Sequence, residues 1–333
     1  AYPNEELPAA RPFRQTPMYD TFDQMGAVWG HQYGLEVPNY FAQGDEPRYE
    51  TPSFRRSNAW EATAREVKAV REAVGINEVH NFGKYRVTGP NARAWLDHIM
   101  AGRIPKPGRI SLTPMLSPQG RIIGDFTVSC LDEQTFQLTA SYGAQAYHMR
   151  WFEQNATEGA QVENISDRLN GFQIAGPKAR EVLMACTRDD IGDMRFMDVR
   201  PACVGMVDCL IQRVSFTGDL GYEIYCDPMA QRALWDVLWT EGQNHGMKPF
   251  GMRAMMSLRL DKFFGAWLHE FGPDYTPAET GLDRFISFKK DTDFIGRASA
   301  EAERETPPAR TLAVFEVDAL DTDVNAYEPV WID

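Results

Sequence analysis

Two carboxylates and an arginine sit where this sequence would not ordinarily place ionisable groups. The first, Asp125, lies in GRIIGDFTV at residues 120–128, a run that otherwise reads as a buried strand. Side chains alternate along a strand, so Asp125 shares a face with Ile123 and Thr127, while Gly124, Phe126 and Val128 take the other. A carboxylate beside apolar groups must find a hydrogen-bonding partner or stay protonated, because burying its charge alone costs several kcal/mol. Such a group caps a loop or binds an arginine, or else it faces a ligand and moves a proton.

The second, Glu223, lies in SFTGDLGYEIYC at residues 215–226, where Gly218 and Gly221 permit a tight turn between two strand-like runs. Alternation groups Glu223 with Gly221 and Tyr225, pointing into a pocket or into solvent, and solvent is the commoner fate of a glutamate. The third is Arg253, which with Arg259 interrupts the apolar helix pattern of FGMRAMMSLRLDKFFGAW at residues 250–267. A structural ion pair is the default for such an arginine, and a bidentate grip on a carboxylate or a flat ring edge is the alternative. His269 in WLHEF could act as a base, although a lone histidine is more often structural. No GxGxxG, GxxxxGK[ST] or GxSxG pattern is present, so neither a dinucleotide fold nor an acyl-transfer triad is signalled.

Positioning these groups requires strands and helices that the pattern supplies twice. KYRVTGPNARAWLDHI at residues 84–99 and GFQIAGPKAREVLMAC at residues 171–186 both read strand, Gly-Pro, helix, and share V/I-x-G-P-x-A-R-x-x-L. Alternating strands follow each copy, RIIGDFTVSC with TFQLTAS and then CLIQRVSFTG with LGYEIYC. The expected fold class is α+β, with two related ferredoxin-like or split βαβ modules packed together. Residues 1–57, rich in Pro, Gly and aromatics, read as an extended lead segment packing on the body. The first module is expected over 58–170 and the second over 171–305. The first opens with a helix whose stripe is Trp60, Ala64, Val67, Val70 and Val74, capped by Asn58.

Composition narrows the partners. With 34 basic against 47 acidic residues, a net charge of −13 leaves no footprint for a nucleic-acid backbone. No apolar run nears the ~18 residues that cross a bilayer, so a cytoplasmic protein is expected. Five cysteines without a CxxC pair, and six histidines without HxH or HxxxH, signal neither disulfides nor a metal site. The chain lacks an initiator Met and stops at YEPVWID, read as a strand entering a turn, so a processed or fragmentary chain is expected.

Together the motifs VREAVGINEVHNFGKYRVTGP, TPMLSPQGRIIGDFTV, SFTGDLGYEI, FGMRAMMSLRLDK, YTPAETGLDRFISF and DFIGRASA resemble, in order, the aminomethyltransferase family of the glycine-cleavage T-protein. The lead stretch RQTPMYDTFDQMGAVWGHQYGLEVPNYFA resembles the junction in dimethylglycine and sarcosine dehydrogenases, where a flavin domain precedes a folate-binding half. The resemblance implies a tetrahydrofolate site. Asp125 would be the catalytic, folate-proximal aspartate with Thr127 beside it, Glu223 would grip the pterin, and Arg253 would be the motif arginine. Leu112 and Phe216 stand where family members often carry pocket-lining tyrosines. A C-terminal barrel would begin within 306–333 and be largely missing. The implied activity is capture of formaldehyde or iminium carbon from a methylated amine to form methylene-tetrahydrofolate. FAD would sit on an absent domain or partner, and self-association stays open. Direct methyl transfer from an S-, O- or N-methyl donor, or a non-catalytic folate-fold scaffold, are the alternatives.

Overall fold

A computed structural model describes residues 5–324 and 328–331. The lead segment is more regular than its composition suggests. It carries helix α1 (Tyr19–Gln24) and a hairpin of β1 (Ala27–Gln32) and β2 (Leu35–Phe41). The two turn residues, Tyr33 and Gly34, have φ of 50° and 83°, the left-handed pair that a primed hairpin turn requires. A tyrosine in that position hides a turn usually signalled by Asn-Gly or Asp-Gly. The segment's Phe22 ring lies 5.2 Å from that of Trp235.

Helix α2 (Ala59–Glu72) and strand β3 (Gly75–Glu78) lead into the first unit. This runs β4 (Phe82–Thr88), α3 (Ala92–Ile99), β5 (Ile110–Leu116), β6 (Ile122–Asp132), β7 (Thr135–Ser141), α4 (Gln145–Gln154) and β8 (Gln161–Asn164). The second runs β9 (Asn170–Ala175), α5 (Ala179–Ala185), β10 (Val199–Val204), β11 (Val207–Gln212), β12 (Gly221–Cys226), α6 (Gln231–Asn244) and β13 (Lys248–Pro249). Helices α7 (Met252–Leu260), α8 (Pro277–Thr280) and α9 (Arg297–Glu305) follow. The sheet orders are β5-β6-β7-β4-β8 and β10-β11-β12-β9-β3-β13. Apart from β3, which inserts between β9 and β13, the two units share one topology, as the repeat implies.

Each unit has one more strand between its helices than the ferredoxin-like pattern requires. The additional strands, β5 and β10, contain Pro114 and Pro201 and lie at sheet edges, where a residue without an N–H is tolerated. Strand β3 precedes the first unit in sequence yet pairs with β9 of the second sheet, so the two modules are not separable at residue 170. The shared Gly-Pro has a steric cause. Gly89 and Gly176 hold φ of 121° and 132°, and a Cβ would come within 2.3 Å of the Gly159 carbonyl oxygen or 2.5 Å of the Ala73 oxygen.

Helices α3 and α4 cover the outer face of the first sheet, where Trp95, Leu96 and Phe152 pack on Val128, Phe136 and Leu138. On the second sheet, Val182, Leu234 and Trp235 of α5 and α6 pack on Phe172, Ile211 and Ile224. By alternation the inner faces carry polar groups: Lys84, Asp125, Gln137 and Thr139 on one sheet, Gln173, Gln212 and Glu223 on the other. Residues 307–324 form no strand. They run over the surface, the Leu312 amide donating to the Glu279 carbonyl (2.7 Å) and the Arg56 amide to that of Asp321 (2.8 Å). Among the described residues no barrel closes, and the strand expected in YEPVWID falls partly on residues outside those described.

Helix α2 turns differently from its expected stripe. Its buried residues are Ala59, Ala62, Glu66 and Val70, while Trp60 is 42% exposed beneath the Arg56 guanidinium, 3.8 Å from the ring centroid. Asn58 forms no side-chain cap. The acid Glu66 points inward because its two oxygens accept from backbone amides of separate elements, Phe41 of β2 (2.6 Å) and Gly251 before α7 (2.8 Å). Burial pushes its pKa up to about 8 against the pull of those amides. Glu66→Gln would set an NH2 group against one of the two amide donors. The expected cost is about 1–3 kcal/mol, read as a lower thermal midpoint, and an unchanged midpoint would contradict this role.

Candidate functional site

The inner faces of the two sheets bound a cavity of about 440 Å³. Asp125, Thr127 and Thr139 line it from the first sheet and Glu223 from the second, with Ser215 and Phe216 from the loop before β12. Strand β6 aims Asp125 here, and its cross-strand neighbour is Pro114, which has no N–H or polar side chain to offer. Among the described residues the Asp125 carboxyl has no ion pair, and its own backbone amide is the only hydrogen-bonding influence that offsets burial. Burial pushes its pKa up to about 6. Thr127 follows on the same face, paired across the sheet with Leu112 and Thr139.

Glu223 is held differently. It is 7% exposed, and its Oε2 accepts from the Tyr225 hydroxyl (2.7 Å). Burial raises its pKa, while the Tyr225 hydrogen bond and the charge of Lys84 pull it back. Lys84 is fully buried. Its Nζ donates to the carbonyls of Leu169 (2.8 Å), His80 (3.2 Å) and Ser166 (3.3 Å). Burial brings its pKa down to about 7 against the charges of Asp167, Glu223 and Glu78. The cavity therefore meets two acids in unlike surroundings, one without a cation and one with a buried ammonium nearby.

Arg253 does not join them. Its guanidinium donates to Glu50 of the lead segment, and it is Met252, Met255 and Met256 of α7 that reach the cavity. The structural ion pair is the arrangement observed for this arginine. Arg259, 4% exposed, also pairs locally. Its Nη1 donates to Glu270 (2.7 Å) and to the Phe264 carbonyl (2.8 Å), and Glu270 in turn accepts from the Ala266 amide (2.8 Å). This staple braces the 261–271 loop, whose Phe263, Phe264, Trp267, Leu268 and His269 form one wall. Phe263 and Leu268 hold φ of 56° and 63°, a strained choice for bulky side chains.

Leu112 and Phe216 both line the cavity, Leu112 36% exposed and Phe216 stacked on Phe264 with centroids 6.2 Å apart. Neither brings a hydroxyl, but Tyr33 and Tyr142 do, from the hairpin turn and from the segment after β7. Gly143 makes room for the first: a Cβ there would come within 2.0 Å of the Tyr33 ring. Sequence reasoning omits both tyrosines, along with Thr139, Ser215 and Arg284. The signal available was the small residue after Tyr142, which is uninformative until the hairpin is known. Among the described residues no group of three or more His, Cys, Asp or Glu side chains is placed to hold a metal ion. None of the described helices is long and apolar enough to cross a membrane.

Comparison with known proteins agrees with this architecture. The GCVT N-terminal domain matches residues 18–290. The chain is 33% identical to mitochondrial dimethylglycine dehydrogenase of Homo sapiens over 336 residues, covering 99% of this chain and 39% of that protein. It thus spans about two fifths of the length of that relative. It is 31% identical to the aminomethyltransferase of Natranaerobius thermophilus over 255 residues, 76% of this chain and 70% of that one. The crystal structure of glycine cleavage system aminomethyltransferase T from Bartonella henselae superposes with a TM-score of 0.77 at 21% identity, covering 90% of this chain and 77% of that chain. With the same fold, and a family match across most of its length, the chain belongs to the GCVT family, whose members include the aminomethyltransferases.

Proposed function

We propose that this chain is a tetrahydrofolate-dependent one-carbon transferase module. It captures carbon at the formaldehyde level from a methylated amine to give methylene-tetrahydrofolate. The observation that carries this reading is Asp125, a carboxyl without a cationic partner on the wall of a cavity whose opposite sheet presents Glu223. Tetrahydrofolate supplies two amine nitrogens that take up the carbon.

The chain's own residues do the rest. Glu223, whose pKa is raised by burial and pulled back by Tyr225 and Lys84, and which is steadied at Oε2 by the Tyr225 hydroxyl, accepts hydrogen bonds from the amino and ring N–H donors of a pterin edge. Asp125 accepts the proton an amine must shed, and a pKa of about 6 leaves it ionised at neutral pH yet close enough to pass the proton on. Thr127 stands next to it, and Leu112, Phe216 and Phe264 give the apolar walls that exclude water and retain a reactive carbon. A flavin-bearing domain or subunit would generate that carbon. The human relative's name, dimethylglycine dehydrogenase, supports this choice of donor and partner. Arg253, paired with Glu50, is given a bracing role in this scheme.

Calorimetric titration of the chain with tetrahydrofolate should give saturable heat, and Glu223→Gln should weaken binding by about 1.5–3 kcal/mol. No saturable heat from folded protein would defeat the reading. Asp125→Asn should bind tetrahydrofolate but lose about 10²–10⁴ in turnover. In the parent, turnover should drop tenfold per pH unit below about 6, and the variant should lose that dependence. Stability should move the other way. Because the folded state holds the proton longer than the unfolded one, Asp125 destabilises the protein as pH rises from 3.8 through about 6. With discounting for water in the cavity, Asp125→Asn should be about 1–3 kcal/mol more stable than the parent at pH 8, with no difference below pH ~3.5. Equal melting of the two at pH 8 would contradict a half-buried, unpaired acid.

A further inference from the structure

Sorting the cavity's charges by depth exposes an asymmetry. The acids Asp125 and Glu223 lie within, and Arg284, an exposed residue, is the one lysine or arginine among the described residues that line the cavity. The arginines around it are taken. Arg253 pairs with Glu50, Arg259 with Glu270, Arg121 with Glu279, and Arg71 with Asp219 and Asp261. Arg284 has no carboxylate within ion-pair distance among the described residues, in a chain with 47 acidic side chains against 34 basic ones. It does not serve Asp125 either, since no cation offsets the burial of that group.

The backbone that carries Arg284 is fixed. Gly281, with φ of 74°, turns the chain out of α8 into a short 3-10 turn, Leu282–Phe285. Leu282 is 6% exposed and packs with Ile122 and Phe271. The Ile286 amide donates to the Asp283 carbonyl (3.0 Å) and the Ser287 amide to that of Ala101 (3.0 Å). The guanidinium lies 4.9 Å from the centroid of Phe285, itself a lining residue, an arrangement that limits its rotamer freedom. His269, also exposed, lines the same cavity from the stapled loop.

We infer that Arg284 is an anion subsite at the cavity rim, with His269 as a second donor, which takes a carboxylate of the bound ligand. This rests on the reading that the ligand's hydrogen-bond-donating head lies between Asp125 and Glu223. A guanidinium with a free planar edge suits a carboxylate by paired N–H donors. Such a carboxylate can come from the glutamyl tail of a folate or from an N-methylated amino-acid donor.

Calorimetry on the full chain distinguishes them, using tetrahydrofolate, tetrahydropterin, which lacks the tail, and N-methylglycine, with parent, Arg284→Ala and Arg284→Lys. Arg284 is exposed, and matching melting curves will show that both variants fold. Arg284→Ala is expected to weaken tetrahydrofolate binding about 5- to 50-fold, leave tetrahydropterin unaffected, and bind with less salt dependence than the parent. Arg284→Lys should restore part of the loss. Loss of N-methylglycine binding alone would support the subsite with the donor as its occupant. Unchanged affinity for all three in Arg284→Ala, with the parent binding normally, would overturn the subsite and leave the folate reading standing. Failure of the parent to bind either pterin would overturn both.

Discussion

The buried ammonium of Lys84 is the constraint around which the two sheets are arranged. Removing a lysine from water costs several kcal/mol unless its three N–H bonds are met and its charge is answered. Here the carbonyls of His80, Ser166 and Leu169 meet the bonds, and Asp167, Glu223 and Glu78 answer the charge. Those partners come from a turn, from the connection between the units and from the second sheet, so the ion can be satisfied only when both units are in place. Glu78 extends the knot, accepting from Thr16 of the lead segment (3.1 Å) and Gln231 of α6 (2.6 Å). One polar centre thus ties together the lead segment, both sheets and a covering helix.

This placement divides stability from chemistry. The outer faces are apolar and helix-covered, so burial there supplies the driving force. The inner faces are then free to hold polar groups that stabilise little or nothing. Gln137 and Gln212 are fully buried with neither amide atom partnered within the protein, which suits a layer completed by solvent. Two acids on facing sheets thereby meet different surroundings: burial raises the pKa of both, but only Glu223 has a hydrogen-bonding tyrosine and a buried lysine to pull it back.

Much of this was legible in the sequence, and the parts that were not have identifiable causes. The period of two in GRIIGDFTV and LGYEIYC sets Asp125 and Glu223 opposite each strand's apolar face, but whether that side meets solvent or a cavity depends on the second sheet packed across from it, which no local pattern encodes. The repeated Gly-Pro predicts paired topology because only glycine fits those turns. The two edge strands were hidden by Pro114 and Pro201, and the hairpin by Tyr33. The stripe of α2 was misjudged because Glu66 counts as polar in any periodicity, although backbone amides from distant elements draw it inside. Arg253 had the right residue type for a ligand, but its partner, Glu50, lies 203 positions away. No local pattern encodes that distance.

The hairpin turn carries a consequence for how such a module can be joined to others. Tyr33 leaves the lead segment to become part of the cavity wall, seated on Gly143, while Glu66 and Glu78 clasp neighbouring parts of the same segment. A splice at residue 58 would look tidy on paper yet would amputate a side of the cavity. Shuffling of this unit between larger polypeptides, by evolution or by an engineer, therefore has to cut upstream of Thr16, carrying the hairpin along as an inseparable passenger.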